Sequence, residues 1–306
     1  MGEITLMAKN EFKPFATGSG ANVTTQTDWE SLPVLSAGFT SGKASSAQVN
    51  KGLRQGTAMA AAVGQFIADN TSDDVKDNGD IAGLSAQLAS AVEQAATGRL
   101  IGVRTITTSG TYTPTPGTKS IIVEVQGAGG GGGGVGTTNS TSVAVGCGGG
   151  GGAYAKSRIT NLDSAYTVTI GAGGAGGVNG NGGNGGGSSF GSITAGGGFG
   201  GGSGNGVPPI IQNSTGIPRA SGGNILNLSG ENPTIGMAIS TSAIISGGGG
   251  NSPLGVGGNP HGSAGIGVLP TGFGAGGGGA NAYVNNATQY NGAAGGNGIV
   301  LIWEYA

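Results

Sequence analysis

The chain has 306 residues, 73 of them glycine and 11 proline, a composition at which low complexity and disorder are the default expectation. Charged residues make up only 8% and hydrophobic residues 36%, the reverse of the balance in unstructured chains, so a folded protein is expected instead. A net charge of −2 offers no basic patch for nucleic acid or an anionic membrane, the single Cys147 excludes an internal disulfide framework and a cysteine-based zinc site, and no apolar run reaches the ~20 residues that span a bilayer.

Met1 to Leu6 lack the charged and apolar regions of a signal peptide, and Met7-Ala-Lys-Asn reads as a second possible start. A chain made in the cytoplasm and released by lysis is the expectation. Composition then changes sharply along the sequence. Residues 1 to 100 hold 11 glycines and 17 of the 26 charged residues, while the other 62 glycines follow. Three regions are expected: an extended arm at 1–43, a helical region at 44–99, and a glycine-rich domain at 100–306.

In the arm, Pro14, Gly18, Gly20, Pro33 and Gly38 break any periodic pattern, and Phe12, Phe15, Trp29 and Phe39 are its anchors. Two readings stay open: these aromatics form a small core of their own, or they dock the arm on another protein. A helix is predicted from Ser46, with that serine as cap and Val49, Leu53, Ala60, Val63 and Ile67 at helical spacing. Gly52, Gly56 and Gly64 cost it roughly 1 kcal/mol each relative to alanine and suggest the close approach of a partner helix. Asp69, Asn70 and the acidic stretch 73–79 are expected to be a loop. A second helix, capped by Asp80, carries Ile81, Leu84, Leu88, Ala91 and Ala95 at heptad spacing. That stripe either packs within one subunit or forms a short neck of three chains.

Beyond Gly98, Thr105–Thr107 and Thr111–Thr113 read as short strands before a Pro-Thr-Pro-Gly turn. Ile121–Val125 and Tyr166–Ile170 are strands that run into glycine blocks, and Ile299–Tyr305 is a strand that follows one. Strands at both ends of the region predict a closed unit whose termini pair. Collagen is excluded, because no strict third-residue glycine period runs through the blocks. Stretches with glycine at two positions of three, such as 182–186, are instead expected to wind as polyproline-II-like helices. Packed side by side without Cβ atoms, such helices can pair their backbone groups and offset the entropy of ordering glycine. The fold class expected is therefore mixed: an arm, a short α-helical neck, then short β-strands and packed polyproline-II-like glycine helices.

Gly171-Ala172-Gly173-Gly174-Ala175-Gly176 satisfies a dinucleotide fingerprint, but such matches arise from composition here, and no helix or ribose-binding acid follows. Glu124 and Glu304 are the only candidate carboxylate pair for glycosidase work and read as solvated strand faces or ends. His261, the sole histidine, sits in an Asn-Pro-His-Gly turn; a metal site from it would need three chains on an axis. No cofactor, metal or catalytic residue is expected. Binding is expected where glycine gives way, in residues 203–246 and 251–273 and in the tyrosine- and asparagine-bearing stretch beyond. The candidates are Ile210, Ile211, Arg219, Leu226, His261, Leu269, Phe273, Tyr283 and Tyr290. A secondary apolar core or a trimer seam is the alternative use of these side chains.

The series Val123–Gly130, Val168–Gly177, Ile193–Gly198 and Gly298–Tyr305 resembles the glycine-rich domain of bacteriophage tail fibres over roughly residues 104–306. It is similar in style to the polyglycine adhesins at the tips of T-even-like long tail fibres, in which packed glycine helices carry receptor-binding loops. Phe15–Val23 through Gln48–Lys51 resembles the start of tail fibre proteins of enterobacterial and related phages. The resemblance implies a homotrimeric virion protein made in the host cytoplasm, its amino-terminal end held by other tail or baseplate proteins. Its partner would be a bacterial surface receptor, either an outer-membrane protein or a surface glycan, with no nucleic acid and no membrane insertion. The alternative is a purely structural spacer in the virion.

Overall fold

The computed structural model describes residues 8–39, 44–96, 98–214 and 216–306. The chain divides into two compact units, Met1–Thr97 and Gly98–Ala306. The expected leader and the Met7 start lie outside the described residues.

Among its described residues the first unit holds four helices, α1 (Gln26–Glu30), α2 (Val34–Ala37), α3 (Ser46–Thr71) and α4 (Ile81–Ala95). The N-cap of α3 is Ser45, not Ser46, and no side chain caps it; the Ser46 hydroxyl instead accepts from Asn22 Nδ2 at 3.0 Å. Helix α3 also runs through Asp69 and Asn70, so the loop begins only at Ser72. Asp80 caps α4 as its position suggests, accepting from the Gly83 N–H at 2.9 Å.

The arm is not separate from these helices. Glu11 N–H donates to Val75 O and Val75 N–H to Lys9 O, which seats the arm against the α3–α4 loop. Phe12 packs on a core of Ile67, Ala68, Val75 and Ala91, and Trp29 is buried. Two of the three helix glycines, Gly52 and Gly64, admit the arm rather than a partner helix, and Gly56 faces open space. A Cβ on Gly64 would strike the Asn10 side chain, and one on Gly52 would touch the Trp29 ring. Of the four anchors proposed for docking, Phe12 and Trp29 are thus used within the unit, and Phe15 and Phe39 are exposed. The heptad stripe of α4 splits in the same way. Leu84 packs on the core and Ala91 is part of it, whereas Ile81 is 81% exposed and Leu88 and Ala95 also face solvent.

The second unit is rich in β-strands arranged in small antiparallel sheets. One five-stranded sheet has the order Leu100–Ile106, Ile299–Tyr305, Ser120–Gln126, Tyr154–Ile159, Leu226–Leu228. The closing strand lies between the two opening ones, with Leu100 opposite Tyr305 and Ser120 opposite Tyr305 on its other side. A second five-stranded sheet has the order Ala220–Ser221, Ile193–Ala195, Ser188–Phe190, Tyr166–Thr169, Gly110–Tyr112. Alternation along each strand turns Ile121, Val123, Val125, Val300 and Ile302 of the first sheet toward Tyr112, Tyr166, Val168 and Phe190 of the second. This sandwich, centred on the stacked rings of Tyr166 and Phe190 at 4.6 Å, is a larger core than the strand caps expected from sequence.

Glycine runs leave the sandwich and return to it, and they carry neither helix nor strand assignments. Their hydrogen bonds follow a period of three. In the central run, Gly127, Gly130 and Gly133 donate to the carbonyls of Ala153, Gly150 and Cys147. Ala128, Gly131 and Gly134 donate to Gly186, Gly183 and Gly180, and Gly129 and Gly132 donate to Gly296 and Ala293. The carbonyls repeat the pattern toward three other runs, accepting from Gly198 and Gly201, from Gly174 and Gly177, and from Gly277 and Ala280. One run is thereby bonded to six neighbours. At the enclosed glycines no side chain fits: a Cβ on Gly131 would overlap the Ala175 carbonyl oxygen, and one on Gly132 that of Gly278.

The register of these bonds defines two ends. Residues next to the sandwich, such as 127, 153, 186 and 296, form the base. The runs turn at the opposite end, where two three-stranded sheets lie. One has the order Asn281–Ala282, Val143–Gly146, Ser203–Gly206, and the other Ile210–Gln212, Gly236–Ala238, Ile244–Ile245. Cys147 lies among the runs near this end, buried, and burial pushes its thiol up to about 11. It is expected to resist a maleimide or disulfide reagent in the native protein and to react fully after denaturation; fast native labelling, read by mass spectrometry, would contradict this packing.

Candidate functional site

The nine residues singled out from sequence do not form one surface. Arg219 and Leu226 belong to the base: the Arg219 carbonyl accepts from Gly196 N–H, and Leu226 pairs with Lys156 on an edge strand. Phe273 also lies at the base, its N–H donating to Leu254 O, and exposed Leu269 lies on the stretch that returns there. Ile210, Ile211, His261, Tyr283 and Tyr290 lie at the far end. Three of these serve small local cores. Ile210 and Tyr283 pack against Val143, Val145, Ala238 and Ile244, and Tyr290 packs against Val135, Ala144, Ala280 and Ala282.

His261 is held as a turn residue. Its N–H donates to Ser246 Oγ at 3.0 Å, its carbonyl accepts from Asn281 Nδ2 at 2.7 Å, and its Nδ1 lies 2.7 Å from Ser263 O. A carbonyl only accepts, so in the neutral ring Nδ1 carries the proton and Nε2, buried without a partner, is the acceptor. The 281–291 loop is pinned beside it through Asn285 N–H to Asn139 O and Asn286 N–H to Thr138 Oγ1. Among the described residues, no group of three or more His, Cys, Asp or Glu side chains lies where it could hold a metal ion.

The carboxylate pair is not one either. Glu304 lies opposite Ile121, and Glu124 lies opposite Leu301. The two glutamates are three register positions apart and therefore on opposite faces of the sheet. Glu124 faces outward and is bridged by Lys156 at 2.9 Å. Glu304 is 1% exposed, which corrects the solvated reading. Its carboxylate accepts from Tyr112 OH at 2.7 Å, Thr115 Oγ1 at 2.7 Å and Thr115 N–H at 3.0 Å. Burial raises its pKa, but these hydrogen bonds and the Arg104 guanidinium outweigh burial and hold the carboxyl below its ordinary value.

An uncovered apolar feature of the far end is the outer face of the sheet containing Ile210–Gln212. Ile211 pairs with Met237, and Met237 with Ile245, so the three lie in one row across the strands. Their neighbours in sequence, Ile210, Ala238 and Ile244, point inward to the local core. Ile211 is 62% exposed and Ile245 41%. Ile239, 66% exposed, shares the parity of Met237 and extends the row beside exposed Pro209. The hairpin tip Ser240–Ser242 supplies a polar edge. Met237, Ile239 and Ile245 were not among the sequence candidates, because strands of two or three residues are too short to show an alternation.

Charge is divided between the ends. Arg99, Arg104, Lys119, Glu124, Lys156, Arg158, Asp163, Arg219 and Glu304 lie on or beside the base strands, and Glu231 lies along the glycine runs, its carbonyl accepting from Gly151 N–H. Among the described residues of the far end, in 135–145, 178–180, 203–213, 235–246, 261–267 and 281–291, no Asp, Glu, Lys or Arg occurs.

No curated protein matches the chain. A family model described as a glycine-rich domain matches residues 106–305, most of the chain and almost the whole of the second unit. The chain therefore belongs to that family of glycine-rich domains.

Proposed function

We propose that this chain is a tail fibre protein of a tailed bacteriophage, and that the far end of its glycine-rich domain binds a receptor on the bacterial surface. The observation that carries the reading is the division of the domain. Its first and last strands pair at the base, while an uncovered apolar row lies at the opposite end of the glycine runs. Large exposed apolar rows on a soluble domain mark contact sites. The runs wind as packed polyproline-II-like helices, a reading supported by hydrogen-bond partners that recur every third residue. Phe15 and Phe39 are the exposed aromatics left to hold the virion, and Ile81, Leu88, Val92 and Ala95 are the exposed stripe left for a neck of three chains. The domain works by presentation and carries out no reaction.

The test is direct competition. Purified protein is expected to block phage adsorption to susceptible cells, and Met237→Asp to lose that block by about tenfold or more at an unchanged melting temperature. Exchange of residues 203–273 between related phages is expected to change host range. Undiminished competition by the Met237→Asp protein removes the far-end face from the binding site. Protein that ignores cells yet co-purifies with tail components supports the spacer reading instead. Light scattering is expected to give the mass of three chains; a monomer leaves the α4 stripe without its neck.

A further inference from the structure

We infer that Asn78 is a site of spontaneous covalent modification: its side-chain amide is lost to water through a succinimide formed with Gly79, and the change loosens the arm, while the fold protects the other Asn–Gly pairs. The sequence holds seven such pairs, beginning at Asn78, Asn179, Asn181, Asn184, Asn205, Asn291 and Asn297. The reaction requires the glycine nitrogen to swing onto the Cγ of the preceding asparagine. A glycine N–H held by a partner cannot do so until the structure around it opens.

In the glycine-rich domain the pairs are held. Gly180, Gly182, Gly185, Gly292 and Gly298 N–H donate to the carbonyls of Gly134, Gly201, Gly198, Gly177 and Gly171 at 2.8 to 3.1 Å. Gly206 is paired with Val143 on a strand. Three of the side chains are engaged as well: Oδ1 of Asn181, Asn184 and Asn297 accepts from Ser203, Gly200 and Gly173 N–H, each at 2.9 Å.

Asn78 and Gly79 lie instead in the exposed loop between α3 and α4. Gly79 N–H has no partner among the described residues, and a Cβ on Gly79 would meet nothing within 4 Å. Asn78 Oδ1 accepts from Asp80 N–H at 3.0 Å, which polarises the side-chain carbonyl and steadies the negative charge that gathers on Oδ1 as the nitrogen adds. The Gly79 nitrogen bonds to Asn78 Cγ, the Cγ–Nδ2 bond breaks, and Nδ2 leaves as ammonia with the proton that the Gly79 nitrogen gave up. Water then opens the ring at either carbonyl, to aspartate or to isoaspartate, whose main chain runs through the side chain and is longer by a methylene. The loop has no slack for it. Asp77 N–H donates to Glu11 Oε2 at 3.1 Å on one side, and Asp80 caps α4 on the other.

The experiment ages the full-length protein at mildly alkaline pH and maps its peptides by mass spectrometry. Asn78 is expected to convert at least about tenfold faster than any of the other six, which react only through local opening; in denaturant all seven should convert at comparable rates. The Glu11 and Val75 amides, which bond the arm to this loop, are expected to exchange with deuterium at least about tenfold faster in the aged protein. Asn78→Ser keeps an acceptor for the Asp80 N–H and cannot close the ring, so its exchange should not change with age. A native Asn78 as slow as the other six, or overtaken by one of them, overturns the inference. Unchanged exchange in fully converted protein overturns the loosening of the arm.

Discussion

Gly132→Ala is expected to lower the stability of the glycine-rich domain by about 3 kcal/mol or more, the upper part of the range for overpacking a filled interior. The reason is geometric. Gly132 N–H donates to Ala293 O at 2.9 Å, and its carbonyl accepts from Gly177 N–H at 2.9 Å. An added methyl would occupy the place of the Gly278 carbonyl oxygen. To admit it, the run must move away from at least one of its six neighbours. Each hydrogen bond then stretched costs about 1 kcal/mol net, and more where the freed group stays buried. For a unit of this size the melting temperature should fall by roughly 10 °C. The control is Gly180→Ala, at the turn where the run 171–177 reverses. The nearest atom to its added Cβ is Val178 O at 3.9 Å. That variant is expected to be neutral or slightly stabilised, by up to about 1 kcal/mol, because alanine restricts the unfolded chain. Thermal unfolding of the two variants decides the matter. Equal losses at both positions would mean that glycine acts here only through flexibility, and the close approach of backbones would lose its support.

The contrast also shows how much of this molecule is legible in its sequence. The strands Ser120–Gln126 and Ile299–Tyr305, the cap at Asp80 and the turn at Pro116–Gly117 follow from local pattern, and local pattern is what a sequence displays. The arrangement of the glycine runs is another kind of fact. Gly131 and Gly180 are the same residue in the same kind of run, yet only one is enclosed, since enclosure depends on which runs become neighbours. Partners such as Gly129 N–H and Gly296 O lie 167 positions apart, a separation at which local pattern is silent. The site suffers for the same reason. The insert 203–246 reads as glycine-poor in the sequence, but its separation into a base half with Arg219 and a far-end half with Ile211 is set by the direction of the runs. Trp29 and Tyr283 looked like contact residues by type; only packing shows that one is buried in its unit and the other leans on Val143 and Ile244. Glu304 is a different case. It shares strand parity with Val300 and Ile302, so alternation alone points it inward, and the burial was there to be read.

That burial carries the second large effect. The Glu304 carboxylate joins the closing strand to the segment 112–115 through Tyr112 and both the amide and the hydroxyl of Thr115. Hydrogen bonds to a charged group contribute about 1.5–3 kcal/mol each, so Glu304→Ala, which strands three donors, is expected to cost about 3–5 kcal/mol and to open the pairing of the first and last strands. The pH dependence gives a sharper signature. The folded pKa of Glu304 is held below the ordinary carboxylate value, so the folded state favours the ionised form. Its contribution is therefore complete above the unfolded pKa of about 4.3 and is lost as pH falls through the lower folded value. Glu304→Gln keeps the shape and removes the titration. At neutral pH the wild type should be the more stable of the two, and the gap should close progressively below about pH 4 as the wild-type carboxylate takes up its proton. Denaturant unfolding of both proteins from neutral to acid pH tests this, and a gap that stays constant across the acid range would show that Glu304 acts through its size and not through its charge.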